Sequence, residues 1–368
     1  MALRHDKLLR SVGLDAALIR HQNNPVVWTG TSAEARPVGT IRRPEPAAAE
    51  PEEPATQVDK PRLAPVDPSQ TPSVVEVLAE AEPPTPAEPS TPIEQAIERP
   101  AARPMVPGEA ALTQAIDERV KQLRKAGMVS GDEGTSWLVY DLGNDAPLAS
   151  INGELPRQCA SMVKPLVALA FFHREAAGEL VYGPESTARF EAMIQKSSNT
   201  ATDWVIQQVG GPSAVQQILQ QQYPHIFQDT QVVEYIGSSG RTYKNRASAA
   251  DLGRFLRALW ADELPKSVEL KRLMNLPGRD RIYDGAPSIP VGTEVYNKTG
   301  STSMCCGDMG ILVAQKSAGG TWPYVLVGVI EKASRADSYS SWIRTRAKVI
   351  RSVSDLVYTQ LKPTRGLK

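Results

Sequence analysis

Apolar positions first recur at helical spacing near the start of the chain. Leu8, Leu9, Val12 and Ala16 fall on one face, and Asn23, Asn24 and Pro25 end the run, so residues 1–30 read as a short amphipathic helix. The pattern then vanishes over 31–110 and returns with Leu112, Ile116, Val120 and Leu123, a helical stripe that Gly127 can cap. A strand is expected at 135–140, with Leu142-Gly143-Asn144-Asp145 as the turn into a partner strand. The run from 161 to 177 is apolar on most sides, which predicts a buried helix. Helical patterns continue over 186–222 and 248–260. Three strand-like runs follow at 293–301, 308–315 and 324–331, the last two joined through Ser317-Ala318-Gly319-Gly320. A final helix carries Trp342, Val349, Ile350, Val353, Leu356 and Val357 on one face. Hairpin-length connections imply an α+β fold: an antiparallel sheet covered by N- and C-terminal helices, plus a helical subdomain, over 111–362.

The unpatterned stretch has a distinct composition. Residues 31–110 hold 17 of the 30 prolines, 14 acidic and 7 basic residues. Fragments such as Glu82-Pro83-Pro84-Thr85-Pro86 cannot bury enough apolar surface to offset ordering entropy, so a disordered Pro/Ala/Glu linker is expected. Residues 1–30 then read as a frayed terminus or as a docking peptide for an unidentified partner. Overall, 41 basic residues balance 41 acidic ones, which gives no electrostatic case for nucleic acid as a partner. The longest apolar runs, 165–172 and 324–330, are far short of the roughly 18 residues a membrane span needs. The first 25 residues contain no continuous apolar run, so no secretory signal peptide is read there. Three cysteines without C-x-x-C, and four histidines without ligand spacing, imply no metal; no organic cofactor is implied either.

Three short motifs carry the chemistry. Ser161-Met162-Val163-Lys164, Ser197-Ser198-Asn199 and Lys298-Thr299-Gly300 occur in that order. Each is cheap alone; S-x-N also occurs at Ser150-Ile151-Asn152. Together they are specific. Ser161 falls where a loop meets the buried helix, and Lys164 falls one turn along the same face. A desolvated lysine beside other cations has a lowered pKa and can take a serine proton. No G-x-S-x-G elbow is present, so a Ser-His-Asp hydrolase is not supported.

The set S-x-x-K, S-x-N, K-T-G resembles that of the class A β-lactamases and penicillin-binding proteins. The resemblance extends to the segment 196–204, to Gly210-Gly211, to 247–252 and to Asp308-Met309-Gly310-Ile311-Leu312. It implies an acyl-enzyme on Ser161 with Lys164 as general base and Ser197 as proton relay to the leaving group. Asn199 would hold the substrate amide. Lys298, Thr299 and Ser301 would bind carboxylate and oxyanion, with Gly300 letting the substrate approach the strand. The implied substrates are β-lactams or D-alanyl peptides, and the implied place of action is the cell envelope. Two departures bear on the reaction. Ser197 lies only 36 positions after Ser161, and the family's E-x-x-L-N is missing. Glu234 falls near its place without the following Leu-Asn, and would be the base for deacylation. The expected activity is therefore β-lactam hydrolysis, with a D,D-peptidase of poor lactam turnover, or a catalytically silent scaffold, as alternatives. The resemblance also makes Cys159 a neighbour of Cys305 and Cys306. Buried thiols are the favoured reading there, and a disulfide from Cys159 to either stays open.

Overall fold

The computed structural model describes residues 107–368 apart from 238, 239 and 241. The expected helix and docking peptide of 1–30 lie outside the described residues, as does the linker up to 106. The first helix, α1 (Pro107–Lys125), opens four residues ahead of the expected boundary. Strands β1 (Glu133–Asp141) and β2 (Ala146–Ile151) form a hairpin. A short strand β3 (Arg157–Gln158) leads into a 3-10 turn, Ala160–Val163, which runs directly into α2 (Lys164–Ala176). The helical block continues with α3 (Pro184–Ile194), α4 (Asn199–Val209) and α5 (Pro212–Gln222). After β4 (Arg246–Ala247), which pairs with β3, come α6 (Ala249–Trp260) and α7 (Ser267–Asn275). Strands β5 (Glu294–Ser301), β6 (Cys305–Gln315) and β7 (Thr321–Lys332) precede the last helix, α8 (Tyr339–Arg365).

The five long strands form one antiparallel sheet in the order β2-β1-β7-β6-β5. The sheet has an apolar layer on each face, which explains why its central strands read as continuous apolar runs. Side chains alternate at period two. Cys305, Met309, Ile311 and Val313 of β6 pack toward the helical block, while Cys306, Leu312 and Ala314 pack toward α1 and α8. Strand β7 divides likewise, with Val325, Val327 and Val329 on one side and Tyr324, Leu326 and Ile330 on the other. Helix α8 is tied to β1 by Glu133, a fully buried carboxylate that accepts from Arg346 Nη2 at 2.6 Å and Trp342 Nε1 at 2.5 Å. Burying that charge is tolerable only because the guanidinium and the indole satisfy it together.

Helix α2 is the centre of the helical block: residues 164 to 172 are all buried. This is why its sequence shows no polar face. Among the described residues no helix is long and apolar enough to cross a membrane.

Candidate active site

Local backbone geometry aims two serines at one cleft. Ala160, just before Ser161, has φ +45°, and Ser197 has φ +57°. Left-handed backbone at a non-glycine residue is costly and concentrates at functional sites. Ser161 sits in the 3-10 turn rather than at the start of the α-helix, and α2 itself begins at Lys164 with Pro165 in its first turn. That turn is gripped from two sides. Cys159 N donates to Asn245 O at 3.1 Å, and Met162 N donates to Cys159 O at 2.8 Å. Gly300 abuts the same turn so closely that an added Cβ would lie 2.8 Å from Cys159 O and 3.2 Å from Ala160 Cβ. Gly300 is therefore needed for strand-to-turn packing. This packing role stands beside the one expected of Gly300, whose neighbours Thr299 and Ser301 line the cleft.

Ser198 caps α4, accepting from Ala201 N through its hydroxyl. Ser197 is thus released from capping, and its hydroxyl meets Lys164. The Lys164 amine is fully buried and donates to Ser197 O at 2.5 Å and Asn199 Oδ1 at 2.9 Å, and lies 3.1 Å from Ser197 Oγ. Burial, and next the charge of Lys298, bring its pKa down to about 7. Lys298, on β5, is itself 3% exposed; its amine donates to Thr299 O at 3.2 Å. Burial lowers its pKa to about 8, with Arg281 and Arg279 acting in the same direction and Asp308 opposing them.

Ser161, Ser197, Asn199, Lys298, Thr299 and Ser301 all line one cleft of about 800 Å³ between the helical block and β5. Glu234 does not. Its Oε1 accepts from Thr242 Oγ1 at 2.9 Å, Tyr243 N at 2.6 Å and Lys244 N at 2.8 Å. It folds the segment between α5 and β4 back on itself, beside Asn245, whose Oδ1 accepts from Val233 N and Glu234 N. The placement of Glu234 as a base in the cleft is corrected accordingly. Asp203 and Asp251 brace the same segment. Asp203 accepts from Ile236 N and Gly237 N, and Asp251 from Asp229 N and Thr230 Oγ1.

The sequence reading missed the support beneath β5. Arg281 is buried, and its guanidinium donates to Gly300 O at 2.9 Å, Gly307 O at 2.5 Å and Ser301 Oγ at 2.5 Å. Asp308, fully buried, accepts from Arg281 N at 2.6 Å and Asn297 Nδ2 at 2.9 Å. Burial raises its carboxyl to about 7, against the pull of Arg281. Arg281 lies in no motif, but Asp308 stood within a segment already singled out, and its placement opposite Thr299 is a register fact. All three cysteines are buried free thiols, so no bridge joins Cys159 to Cys305 or Cys306.

Residues 186–361 match the model of the β-lactamase enzyme family. Among solved structures, a class A β-lactamase from Bacteroides cellulosilyticus is 19% identical with a TM-score of 0.55, covering 68% of this chain and 99% of its own. A mutant of PBP-A, captured as an acyl-enzyme with penicillin G, is 20% identical with a TM-score of 0.54, covering 70% of this chain and 100% of its own. A mutant of the class A β-lactamase of the last common ancestor of Gram-negative bacteria gives 20% and 0.54, covering 67% and 98%. No curated protein matches the chain. The fold is that of the class A β-lactamases.

Proposed function

We propose that the folded domain, which matches the β-lactamase family model over 186–361 and shares the class A fold, is an acyl-transfer enzyme of the serine β-lactamase and penicillin-binding protein superfamily with Ser161 as nucleophile. Its substrates are β-lactams or D-alanyl peptides. Ser161 Oγ attacks the amide carbonyl carbon while its proton passes to the neutral amine of Lys164. Backbone N–H groups of Ser161 and Ser301 receive the oxyanion. The C–N bond breaks as the hydroxyl of Ser197 gives a proton to the leaving nitrogen and is resupplied by Lys164. Water or an amine then attacks the ester carbonyl, and the proton returns to Ser161. Asn199 holds the substrate amide, and Lys298, Thr299 and Ser301 hold its carboxylate.

The observation that carries this reading is the hydrogen-bonded set of Lys164, Ser197 and Asn199 beside a cleft that Ser161 and Lys298 also line. A slow-turnover, penicillin-binding D,D-peptidase is favoured over a fast lactamase by one further fact. The Glu234 carboxylate, the candidate to activate the deacylating water, has its Oε1 taken up by Thr242 Oγ1, Tyr243 N and Lys244 N. Intact-protein mass spectrometry after penicillin exposure, followed over hours, tests both statements. A mass gain of one penicillin that Ser161→Ala abolishes is expected, and an adduct that persists supports the peptidase form. Equal absence of adduct in wild type and variant overturns the enzymatic reading in favour of a silent scaffold.

A further inference from the structure

The cleft carries more positive charge than one substrate carboxylate can neutralise. Lys196, Arg279, Arg281, Lys298 and Arg335 line it, and no Asp or Glu is among the described residues that do. They arrive from four separate segments: the turn before α4, the loop after α7, strand β5, and the connection from β7 to α8. None of the five makes a side-chain ion pair among the described residues. Like charges converging in a concave, partly desolvated site build a field that draws anions and rejects neutral ligands. Of the five, Lys196, Arg279 and Arg335 are exposed, and the buried Lys298 and Arg281 lie in the field of the Asp308 carboxylate.

The five fall into two places. Lys298 and Arg281 are more than nine-tenths buried around β5, beside Ser301. Arg335 stands with Ser303, in the turn that follows β5, beyond the strand positions that carry Lys298, Thr299 and Ser301. The Arg335 guanidinium lies 5.3 Å from the ring centroid of Tyr243. The Tyr243 hydroxyl is 3.2 Å from Ser303 Oγ, and Ala336 N donates to Ser303 O at 2.8 Å. Ring and turn thus place this exposed cation at the wall of the cleft. A guanidinium held over a ring face can keep its N–H donors for a carboxylate.

We propose that Arg335, held on Tyr243, is a specificity-determining residue that selects substrates with a second carboxylate, on the acyl side of the scissile amide. The first carboxylate, on the leaving-nitrogen side, goes to Lys298. This deepens the acyl-transfer reading and rests on it.

Benzylpenicillin and carbenicillin differ by one carboxylate on the acyl side chain, so they isolate this feature. Second-order acylation rates are measured for both by intact mass at low ionic strength. Carbenicillin is expected to react about tenfold faster, the worth of one charge-assisted hydrogen bond. The ratio falls toward one in Arg335→Gln and in high salt, and Arg335→Lys retains part of it, which a purely structural role would not predict. Equal rates in wild type, or a ratio unchanged by Arg335→Gln, overturn this inference and leave acyl transfer standing. Adduct formation by neither penicillin overturns both.

Discussion

The amine of Lys164 lies 3.1 Å from the hydroxyl oxygen of Ser197, which links the buried helix to the turn across the cleft. That amine titrates near 7 because it is buried and, next, because Lys298 is charged nearby. Above that pH it is neutral and can accept the Ser161 proton; below it, it is an ammonium and cannot. Lys298 titrates near 8, so its attraction for a substrate carboxylate is lost on the alkaline side. The second-order rate of acylation should therefore rise through about pH 7 and fall beyond about pH 8. Lys298→Met should remove the alkaline limb and move the acid limb upward, since the cation that depresses Lys164 is gone. A pH–rate profile of penicillin acylation reads both, and an acid limb that stays in place would refute the coupling.

Gly300 sets how closely β5 approaches the turn that carries Ser161. A Cβ there would meet backbone, Cys159 O at 2.8 Å, as well as Met162 Cγ at 3.1 Å. Backbone cannot swing aside as a side chain can. Gly300→Ala should cost about 1–3 kcal/mol of stability and slow acylation by roughly tenfold or more through displacement of the nucleophile. Gly307→Ala is the control. Its nearest contact is the flexible end of Met162, Cε at 2.6 Å, and backbone, Gly328 O, is farther at 3.2 Å and away from the turn of Ser161, so acylation should suffer less. Thermal melts and acylation rates of the two variants make the comparison, and equal loss in both would contradict it.

The thiols offer a chemical test of the packing. Cys159 is fully buried and pushed up to about 12 by desolvation, and Cys306 likewise to about 11. A thiol that stays protonated and shielded does not react. Thiol titration of the native protein near neutral pH should find almost none reactive, and titration after denaturation should find all three, with or without reductant. Fewer than three in the unreduced, denatured protein would mean that a bridge had formed.

The sheet was legible because its strands carry period-two alternation or continuous apolar runs between glycine-rich turns. The motif serines and lysines were legible because their chemistry demands fixed spacings. Three things were hidden. Helix α7 is short, begins after Lys266 in a left-handed conformation and exposes Val268, so its apolar stripe is thin. Which serine caps α4 is decided by backbone dihedrals at Ser197 and Ser198, and no residue pattern reports those. Arg281 supports β5 from a loop, and its partners are backbone oxygens of Gly300 and Gly307, groups that every residue has. Sequence spacing can find residues that act on one another through side chains; it is blind to a side chain whose partners are main-chain atoms.

Glu234 shows the same blindness from the other side, for its position along the chain suggested a base and its contacts are with the backbone. Two of the three donors to Oε1 are the N–H groups of Tyr243 and Lys244. A glutamine keeps a side-chain oxygen that can accept those bonds, but it cannot take a proton from water. If the carboxylate braces the loop, Glu234→Gln should leave the lifetime of the penicillin adduct within about threefold of wild type. A lost general base would instead lengthen it by about a hundredfold or more. Glu234→Ala removes the acceptor altogether. It should lower stability by about 1–3 kcal/mol as the two N–H groups and the Thr242 hydroxyl lose their partner. Because Tyr243 holds Arg335 at the cleft wall, it should also loosen that cation. Adduct decay followed by mass, together with melting curves for both variants, separates the roles. A large slowing in the glutamine variant with an unchanged melting temperature would return Glu234 to the chemistry.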